Sequence, residues 1–448
     1  MEPTAGTHVP TSQGHAVIES RFIHFGCWNN TNDTKGETIG KLKKVMEHLA
    51  TFIENPGEHS IYKYKPDFVI VAGDNYYPNK ETTGESGKKR KIKTIYKNKL
   101  IEGFKLLPDN IEVNMILGNH DLENNNMENS SLNVAPEIDE GVNIQEGVGE
   151  CFILKTEIDA VKTSGDKKNI NLKTFNVKLI NDTLILMIDT SMYTSDEDGK
   201  AMLPCYKHIL PEHVTSDIVA LRSHQDDLIK SEIANHLQIN NIKNIIIVGH
   251  HPIIAIKMKG KKPNDESVKS EKKLKDESEK NLVVLDDIPF FMETLKMINK
   301  TVTDTKKDVK YHYLCADLHL FQSGVITIPG ETPEPAMVIN QYIVGTGGTE
   351  LDDEIIEEIR KSSNPPFKRG KVEYNVTDCQ HKHGFLDCIL FKGGDTSFNF
   401  IPIKETATEG TATGATENKK GGGNKRKSIK RKNKSIKRKT KRYKNKTD

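Results

Sequence analysis

The sequence predicts an α/β fold in which helices cover a mixed or parallel sheet. Near the N-terminus, an apolar run at Arg21–Phe25 is followed by a helical pattern at Thr38–Ile53 and by a second apolar run at Phe68–Ala72. The same order of helix and strand recurs at Ser223–Leu237 and Asn244–Val248. Because two parallel strands need a crossover between them, usually a helix, this alternation favours a sheet with helices packed on its faces.

The helix at Thr38–Ile53 is predicted from the spacing of its apolar residues. These residues recur every three or four positions, which places them on one face of a helix: Ile39, Leu42, Val45, Met46 and Leu49. Other runs rich in apolar and β-branched residues are typical of strands. They predict strands at Val113–Leu117, Thr183–Ile188, Tyr311–Cys315, Gln341–Val344, Phe385–Phe391 and Ser397–Ile403.

A single domain is predicted over residues 21–403, between a flexible leader at 1–20 and a linker with a basic disordered tail at 404–448. Two polar stretches inside the domain, at about 80–99 and 257–280, lack an apolar period and predict solvated insertions. The second insertion directly follows a segment with two histidines. It is therefore either a lid or substrate-recognition loop, or a surface loop without such a role.

Charge is distributed unevenly along the chain. The formal net charge is +2, but residues 419–448 hold 16 Lys or Arg and a single acidic residue. The preceding residues therefore carry a net charge of −13. A detachable basic tail suits binding to nucleic acid, anionic lipid or another polyanion. A nuclear-localisation signal and a solubilising extension are the alternatives.

The sequence shows no feature of an exported or membrane-spanning protein. The first 20 residues lack an apolar core, and no run approaches the roughly 20 apolar residues that a membrane span needs. Six cysteines are scattered without a CxxC pair, which favours free thiols in a reducing compartment. We therefore expect an intracellular protein, cytoplasmic or nuclear, with no signal peptide and no transmembrane segment.

Four short segments that follow predicted strands contain candidate metal ligands. They are Gly73–Tyr77, Gly118–Asp121, Gly249–Pro252 and Asp317–His319. In an open α/β sheet, side chains from several strand ends meet in one crevice. Oxygen and nitrogen donors gathered there are typical of a metal site. The four segments therefore predict a centre that holds two metal ions and acts on a phosphate ester.

Five of these side chains suit direct coordination of a metal. Asp74 could place one carboxylate oxygen on each of two cations, and Tyr77 could bind trivalent iron through its phenolate. Asn119 offers a neutral amide oxygen, while His250 and His319 offer imidazole nitrogens.

Three further side chains suit proton transfer or substrate binding. His120 would face the substrate and act as a general acid on the leaving group. Asp121 could fix the tautomer of His120 or raise its basicity. His251 could contact a phosphate oxygen, and a hydrogen-bonded structural role is the alternative.

These segments resemble those of the calcineurin-like metallophosphoesterases. The spacing of Asp74-Asn75-Tyr76-Tyr77 is similar to that of the purple acid phosphatase branch, which includes the tartrate-resistant acid phosphatases. The resemblance covers about residues 21–403 and implies a four-layer α/β/β/α sandwich of two mixed sheets, with a dinuclear site at one edge. It also implies two metal ions, iron with zinc, manganese or a second iron, and attack on a phosphate ester by a metal-bound hydroxide.

The resemblance implies a role for each matching residue. Asp74 would bridge the ions, Tyr77 and His319 would bind the first, Asn119 and His250 would bind the second, and His120 would donate the proton.

Two positions depart from the family pattern. Cys27 stands where family members carry an Asp ligand, and Asp317 stands where they carry a His. A thiolate at Cys27 could bind zinc or iron, and Asp317 could offer a carboxylate. The alternative is a buried Cys27 without a ligand role and a lost first metal. The sequence thus supports two hypotheses: hydrolysis of phosphomonoesters or small phosphodiesters, and a catalytically impaired scaffold or binding protein that keeps the fold.

Overall fold

The computed structural model describes residues 17–28, 37–58, 60–75, 103–122, 158–159, 169–209, 217–258, 282–285, 287–330, 335–352, 355, 359 and 366–403. The chain divides into two units after Ile403, and all described residues belong to the first unit. Tyr77, the insertion at 80–99, nearly all of the insertion at 257–280 and the basic tail lie outside the described residues. The domain boundaries given above stay predictions.

The described residues form sixteen strands. In chain order they are β1 (Ile18–Phe25), β2 (Phe68–Ala72), β3 (Glu112–Ile116), β4 (Asn169–Leu172), β5 (Phe175–Ile180), β6 (Thr183–Ile188), β7 (Asn244–Val248), β8 (Ala255–Met258), β9 (Leu282–Leu285), β10 (Lys310–Cys315), β11 (Phe321–Ile328), β12 (Met337–Val344), β13 (Phe367–Arg369), β14 (Val372–Gln380), β15 (Gly384–Phe391) and β16 (Thr396–Pro402).

Five helices accompany these strands in the described ranges. They are α1 (Glu37–Glu54), α2 (Asn119–Leu122), α3 (Asp196–Ile209), α4 (Ile218–Ile239) and α5 (Phe291–Asp304). Two 3-10 turns, Pro56–Glu58 and Thr190–Tyr193, add to them. None of the described helices is long and apolar enough to span a membrane.

The strands form two large mixed sheets and one two-stranded sheet. The first sheet has the order β16-β15-β1-β2-β3-β4, in which β1 to β4 are parallel. The second has the order β13-β14-β11-β12-β10-β7-β6-β5, in which β6, β7, β10 and β12 are parallel. The antiparallel pair β8-β9 forms a separate sheet, and β8 contains Lys257 and Met258, so the first two residues of the predicted insertion belong to a strand instead. In each sheet the parallel strands bring their carboxyl ends to the same edge.

Aromatic side chains pack the two sheets against each other. The ring of Phe400 in β16 stacks on that of Phe321 in β11, with centroids 4.3 Å apart. The Phe398 ring lies 4.8 Å from the ring of Tyr342 in β12. Strands such as β2, β6 and β7 are buried along their whole length. Burial on both faces explains why they are continuous apolar runs rather than alternating patterns.

Helices cover the outer faces of both sheets. On the first sheet, the Phe52 ring of α1 lies 5.2 Å from the Phe385 ring of β15. On the second, the Phe291 ring of α5 lies 5.9 Å from the Tyr313 ring of β10. The layers are therefore helix, sheet, sheet and helix. This confirms the predicted α/β class and the four-layer α/β/β/α sandwich.

The cysteines differ in part from the sequence prediction. Cys27, Cys315, Cys379 and Cys388 are buried free thiols, as expected. Cys205 forms a disulfide bond, so the expectation that all cysteines are free is wrong at this position.

Candidate metal centre

The candidate ligands come from the carboxyl ends of parallel strands in both sheets. Cys27 and Asp74 follow β1 and β2 by two residues, and Asn119 follows β3 by three. His250 and Asp317 follow β7 and β10 of the second sheet by two residues each. Because the two sheets pack face to face, these five side chains meet at one edge of the sandwich.

His250 and Asp74 are at the middle of this cluster. The Nε2 atom of His250 lies 3.0 Å from Oδ1 of Asn119, 3.2 Å from Oδ1 of Asp74 and 3.6 Å from Oδ1 of Asp317. The other carboxylate oxygen of Asp74, Oδ2, lies 3.6 Å from the Cys27 sulfur. Oδ1 of Asp74 thus faces the nitrogen and oxygen donors of His250, Asn119 and Asp317, whereas Oδ2 faces the sulfur of Cys27.

The hydrogen bond that Nδ1 of His250 makes away from the cluster determines which ring nitrogen carries the proton. Nδ1 of His250 lies 2.7 Å from the carbonyl oxygen of Ala72, which can only accept, so Nδ1 carries a proton. In the neutral ring, Nε2 then carries no proton, and its lone pair faces the carboxylates of Asp74 and Asp317. A buried cluster of acceptors of this kind is stable only with added positive charge, from a cation or from a second proton on His250.

The pKa values in the cluster have the same origin. Burial alone would lower the pKa of His250, but the carboxylates of Asp74 and Asp317 raise it well above its ordinary value. Burial would likewise raise the pKa of Asp317, but the hydrogen bond and charge of His250 hold it below the ordinary value. Both shifts show that this edge of the sandwich favours positive charge beside Asp74.

The donor atoms fit a bound metal ion. Ligands of one Zn²⁺ at about 2.0–2.3 Å from the metal lie roughly 3–4 Å from one another. The donor separations of 3.0 to 3.6 Å around His250 and Asp74 fall in that range. Cys27, Asp74 and His250 together offer a sulfur, an oxygen and a nitrogen that all lie within 4.8 Å of one another.

Backbone conformation aims three of these side chains. Cys27, Asp74 and Asp317 have φ angles of 52°, 52° and 59°, in the left-handed region that few residues other than glycine adopt. Such a conformation costs about 1–3 kcal/mol and persists where the surroundings enforce it. At Cys27, the backbone N–H donates to the Gly73 carbonyl at 3.2 Å, and the carbonyl accepts from the Thr349 N–H at 3.2 Å.

Two glycines leave the space that the cluster needs. A Cβ on Gly118 would lie 2.4 Å from Oδ1 of Asp74 and 2.9 Å from Cε1 of His250. A Cβ on Gly73 would lie 2.5 Å from Nδ1 of His250, and Gly73 has a φ of 80°. The glycines before Asp74 and Asn119 are therefore required by close approach of the two sheets.

Comparison with known proteins identifies the family. A family model described as calcineurin-like phosphoesterase matches residues 20–284. The chain belongs to the calcineurin-like phosphoesterase family. The matched region contains Cys27, Asp74, Asn119 and His250, whereas Asp317 lies beyond it.

Other comparisons add distant similarity. A search of curated proteins found no significant match. Among solved structures, the one titled "Structure of PhoD" is 12% identical, with 89% of this chain and 74% of that chain covered and a TM-score of 0.45. The purple acid phosphatase branch stays a prediction, because its mark, Tyr77, lies outside the described residues.

In this calcineurin-like phosphoesterase, Asp121 joins two of the loops that carry candidate ligands. Its carboxylate accepts hydrogen bonds from the backbone and side-chain N–H groups of Asn75, both at 2.9 Å, and from the Gly118 N–H at 2.9 Å. Burial, together with the charge of Asp74, raises the pKa of Asp121 to about 7. These contacts fix the loop after β2 to the turn after β3.

Thr190, which follows β6, positions both neighbouring histidines. Its hydroxyl oxygen lies 3.0 Å from the backbone nitrogens of His250 and His251, so it accepts two hydrogen bonds. The same oxygen lies 3.0 Å from Nδ1 of His251. With both lone pairs in use, the hydroxyl donates its proton to that nitrogen. Neutral His251 therefore carries its own proton on Nε2.

The two remaining predicted residues lie at the rim of the cluster and are both half-buried. The backbone N–H of His120 donates to Oδ1 of Asp74 at 3.1 Å. The backbone N–H of His319 donates to Asp352 at 2.8 Å, and the other oxygen of Asp352 lies 3.0 Å from Lys257 at the start of the insertion. Burial lowers the pKa of His319, although the negative charges of Asp352 and Asp74 act in the opposite direction.

The residues that support this centre are only partly visible in the sequence. Thr190 belongs to the pair Asp189-Thr190, which directly follows the predicted strand at Thr183–Ile188, and Thr349 ends a Gly-rich turn at Gly345–Thr349. Neither pattern reveals the hydrogen bonds that these residues make. Asp352 has no such signal, because it follows no predicted strand and gains its role only when the chain folds. The role of Asn75 likewise comes from its bonds to Asp121 in the folded chain.

Proposed function

We propose that this chain hydrolyses phosphoric esters in a reaction that depends on bound metal ions. The substrates would be phosphomonoesters, as in an acid phosphatase, or small phosphodiesters. The observation that carries the proposal is the approach of His250 Nε2 to Asp74 Oδ1, 3.2 Å apart, with the acceptors of Asn119 and Asp317 around them. A cation would complete this arrangement, and the family model that matches the chain is described as calcineurin-like phosphoesterase.

The residues that would hold the metal form two groups that share Asp74. One group contains His250, Asn119 and Asp317, and the other contains Cys27, with His319 and Tyr77 added by the resemblance. Ions bound there would neutralise charge on the phosphoryl oxygens and lower the pKa of a coordinated water.

The chain's own side chains would bind the ester and move its proton. The tautomer set by Thr190 leaves the Nε2–H of His251 as a donor for a phosphoryl oxygen. His120, half-buried at the rim, would protonate the leaving-group oxygen. Asp121 would act by positioning, since its carboxylate binds Asn75 and Gly118.

A catalytically impaired scaffold is the alternative, and Cys27 and Asp317 are the observations that favour it. Each replaces a residue that the resemblance leads us to expect, although each still places a donor atom 3.6 Å from a neighbouring donor. Polyanion binding by residues 419–448 is a separate proposal. Deletion of the tail should abolish it without changing the hydrolysis of a small ester.

Hydrolysis of p-nitrophenyl phosphate and bis(p-nitrophenyl) phosphate by the purified full chain tests the proposal. We expect turnover that a chelator abolishes and that added Zn²⁺, Mn²⁺ or Fe²⁺ restores. Asp74→Asn should remove it, whereas Asp395→Asn, at an exposed carboxylate, should leave it unchanged. Equal rates in wild type and Asp74→Asn would overturn the assignment, and absence of turnover with metal bound would favour the scaffold.

A further inference from the structure

The two sides of Asp74 present chemically different donors. Around Oδ1 the neighbours are an imidazole nitrogen and two oxygens, from His250, Asn119 and Asp317. Beside Oδ2 the neighbour is the sulfur of Cys27, at 3.6 Å. Hard oxygen donors and a soft thiolate favour different metal ions. The two sides of the centre therefore differ in donor softness, which is the property that decides which cation binds.

The position of Cys27 is enforced by its surroundings. The residue is completely buried and has a φ of 52°, a conformation in which Asn, Asp and His are enriched and cysteine is not. Its carbonyl oxygen accepts hydrogen bonds from both the N–H and the hydroxyl of Thr349. Gly345 leaves room on the sulfur side, since a Cβ there would lie 3.3 Å from Sγ and 2.2 Å from the Leu318 carbonyl. The fold thus directs the sulfur towards Asp74.

We propose that Cys27 makes its side of the centre selective for thiophilic cations, Zn²⁺ or Co²⁺, over Mg²⁺ and Mn²⁺. This inference rests on the proposed metal centre and adds the chemical identity of one of its ions. On binding, the thiol releases its proton to solvent, and the resulting thiolate coordinates the cation together with Oδ2 of Asp74. The side that contains His250, Asn119 and Asp317 keeps the ability to bind harder ions.

Cobalt substitution tests the inference without reference to activity. The full chain is stripped with a chelator and titrated with Co²⁺, and a near-ultraviolet sulfur-to-cobalt charge-transfer band is recorded. We expect the band in wild type and in the control Cys379→Ser, another buried free thiol. Cys27→Ser and Cys27→Asp should lack it. The Asp variant should also bind Mn²⁺ relative to Zn²⁺ at least about tenfold better than wild type does.

A second measurement needs no variant. X-ray absorption at the zinc edge of the Zn²⁺-loaded wild-type chain should show a sulfur scatterer at about 2.3 Å from the metal. Metal binding without the charge-transfer band and without that sulfur scatterer would overturn the inference while leaving the proposed hydrolysis intact. Failure to bind any metal, together with no hydrolysis, would overturn both.

Discussion

Oδ1 of Asp74 and Nε2 of His250 lie 3.2 Å apart, although Asp74 follows a strand of the first sheet and His250 follows a strand of the second. The pair therefore exists only when the two sheets pack together. The Ala72 carbonyl of β2 also holds the His250 ring, at 2.7 Å, so the contact is enforced from both sheets. Formation of the centre and assembly of the sandwich are consequently linked.

Enlarging Gly118 should damage the centre far more than enlarging a glycine elsewhere in the fold. A Cβ at this position would lie 2.4 Å from both the backbone nitrogen and Oδ1 of Asp74, so Gly118→Ala must displace the carboxylate. We expect metal affinity to fall about 10–100-fold, as it does when a ligand's support is disturbed. Isothermal titration with Zn²⁺ measures this. The control is Gly57→Ala, whose Cβ would meet only the flexible Lys63 side chain at 3.2 Å; an equal loss there would contradict the prediction.

Removing the hydroxyl of Thr190 should disturb both histidines. Thr190→Val leaves two backbone N–H groups without their acceptor and His251 Nδ1 without its donor. We expect a loss of about 1–3 kcal/mol in unfolding free energy and a mixture of His251 tautomers in ¹⁵N spectra of histidine-labelled protein. Thr190→Ser keeps the hydroxyl and should restore the single tautomer. A unique Nε2–H tautomer in the Val variant would refute this role.

The buried ion pair of Arg21 and Asp387 should be the most sensitive polar contact of the first sheet. Two hydrogen bonds of 2.6 and 2.7 Å join the pair, whose side chains are 0% and 1% exposed. Asp387→Asn leaves the Arg21 charge without its counter-ion, which costs about 3–5 kcal/mol. Urea unfolding measures the change. The exposed helical pair of Lys43 and Glu47 provides the control, and Glu47→Gln should change stability by less than about 0.5 kcal/mol.

Acid should destabilise the fold through buried histidines. Burial lowers the pKa of His24 to about 4, although its hydrogen bond to the Cys315 carbonyl acts in the opposite direction. Below the ordinary value of 6.5 the unfolded chain binds a proton that the folded chain excludes, so stability is complete above pH 6.5 and falls as the pH drops towards 4. At pH 5 this site alone should cost about 2 kcal/mol.

Urea unfolding at pH 7.5 and 5.0 checks this pH dependence. His24→Gln keeps a donor for the Cys315 carbonyl but cannot be protonated, so its stability should change less between the two pH values than that of wild type. His381→Gln, a half-buried residue in the connection between β14 and β15, is the control and should behave like wild type. An unchanged pH difference in His24→Gln would exclude His24 as the cause.

The strands that carry ligands were predictable from sequence because burial on both faces makes them continuous apolar runs. The predictions at Phe68–Ala72, Thr183–Ile188 and Asn244–Val248 match β2, β6 and β7 residue for residue. Short edge strands such as β4 and β13 were missed, since they are only partly buried and have mixed polarity. The antiparallel pair β8-β9 is not predicted either, because each strand has only four residues and residues 259–281 separate them in the sequence.

The helices illustrate two different failures. Helix α4 begins at Ile218, five residues before the predicted start, because the Asp217 side chain accepts a hydrogen bond from Val219 and caps the helix. Helix α5 is absent from the sequence predictions, although Leu295, Ile298 and Val302 recur at helical spacing and are buried. For α4, the sequence prediction lacks the capping residue. For α5, it lacks an apolar period that the sequence does contain.

The convergence of the candidate ligands is predictable from the sequence, but their distances and conformations are not, and their role as ligands stays a prediction. A ligand after a strand end is visible in the sequence, whereas the left-handed φ of Cys27 and Asp317 follows from contacts made by the folded chain. The bond from His319 to Asp352 joins residues 33 positions apart, without a motif that pairs them.

Anomalous X-ray diffraction from a crystal of the full chain grown with Zn²⁺ tests the central claim most directly. We predict an anomalous peak within bonding distance of both Asp74 Oδ1 and His250 Nε2, and its loss in Asp74→Asn crystals. The claim would be contradicted by a map in which these two atoms remain 3.2 Å apart, as they are here, with no anomalous density between them.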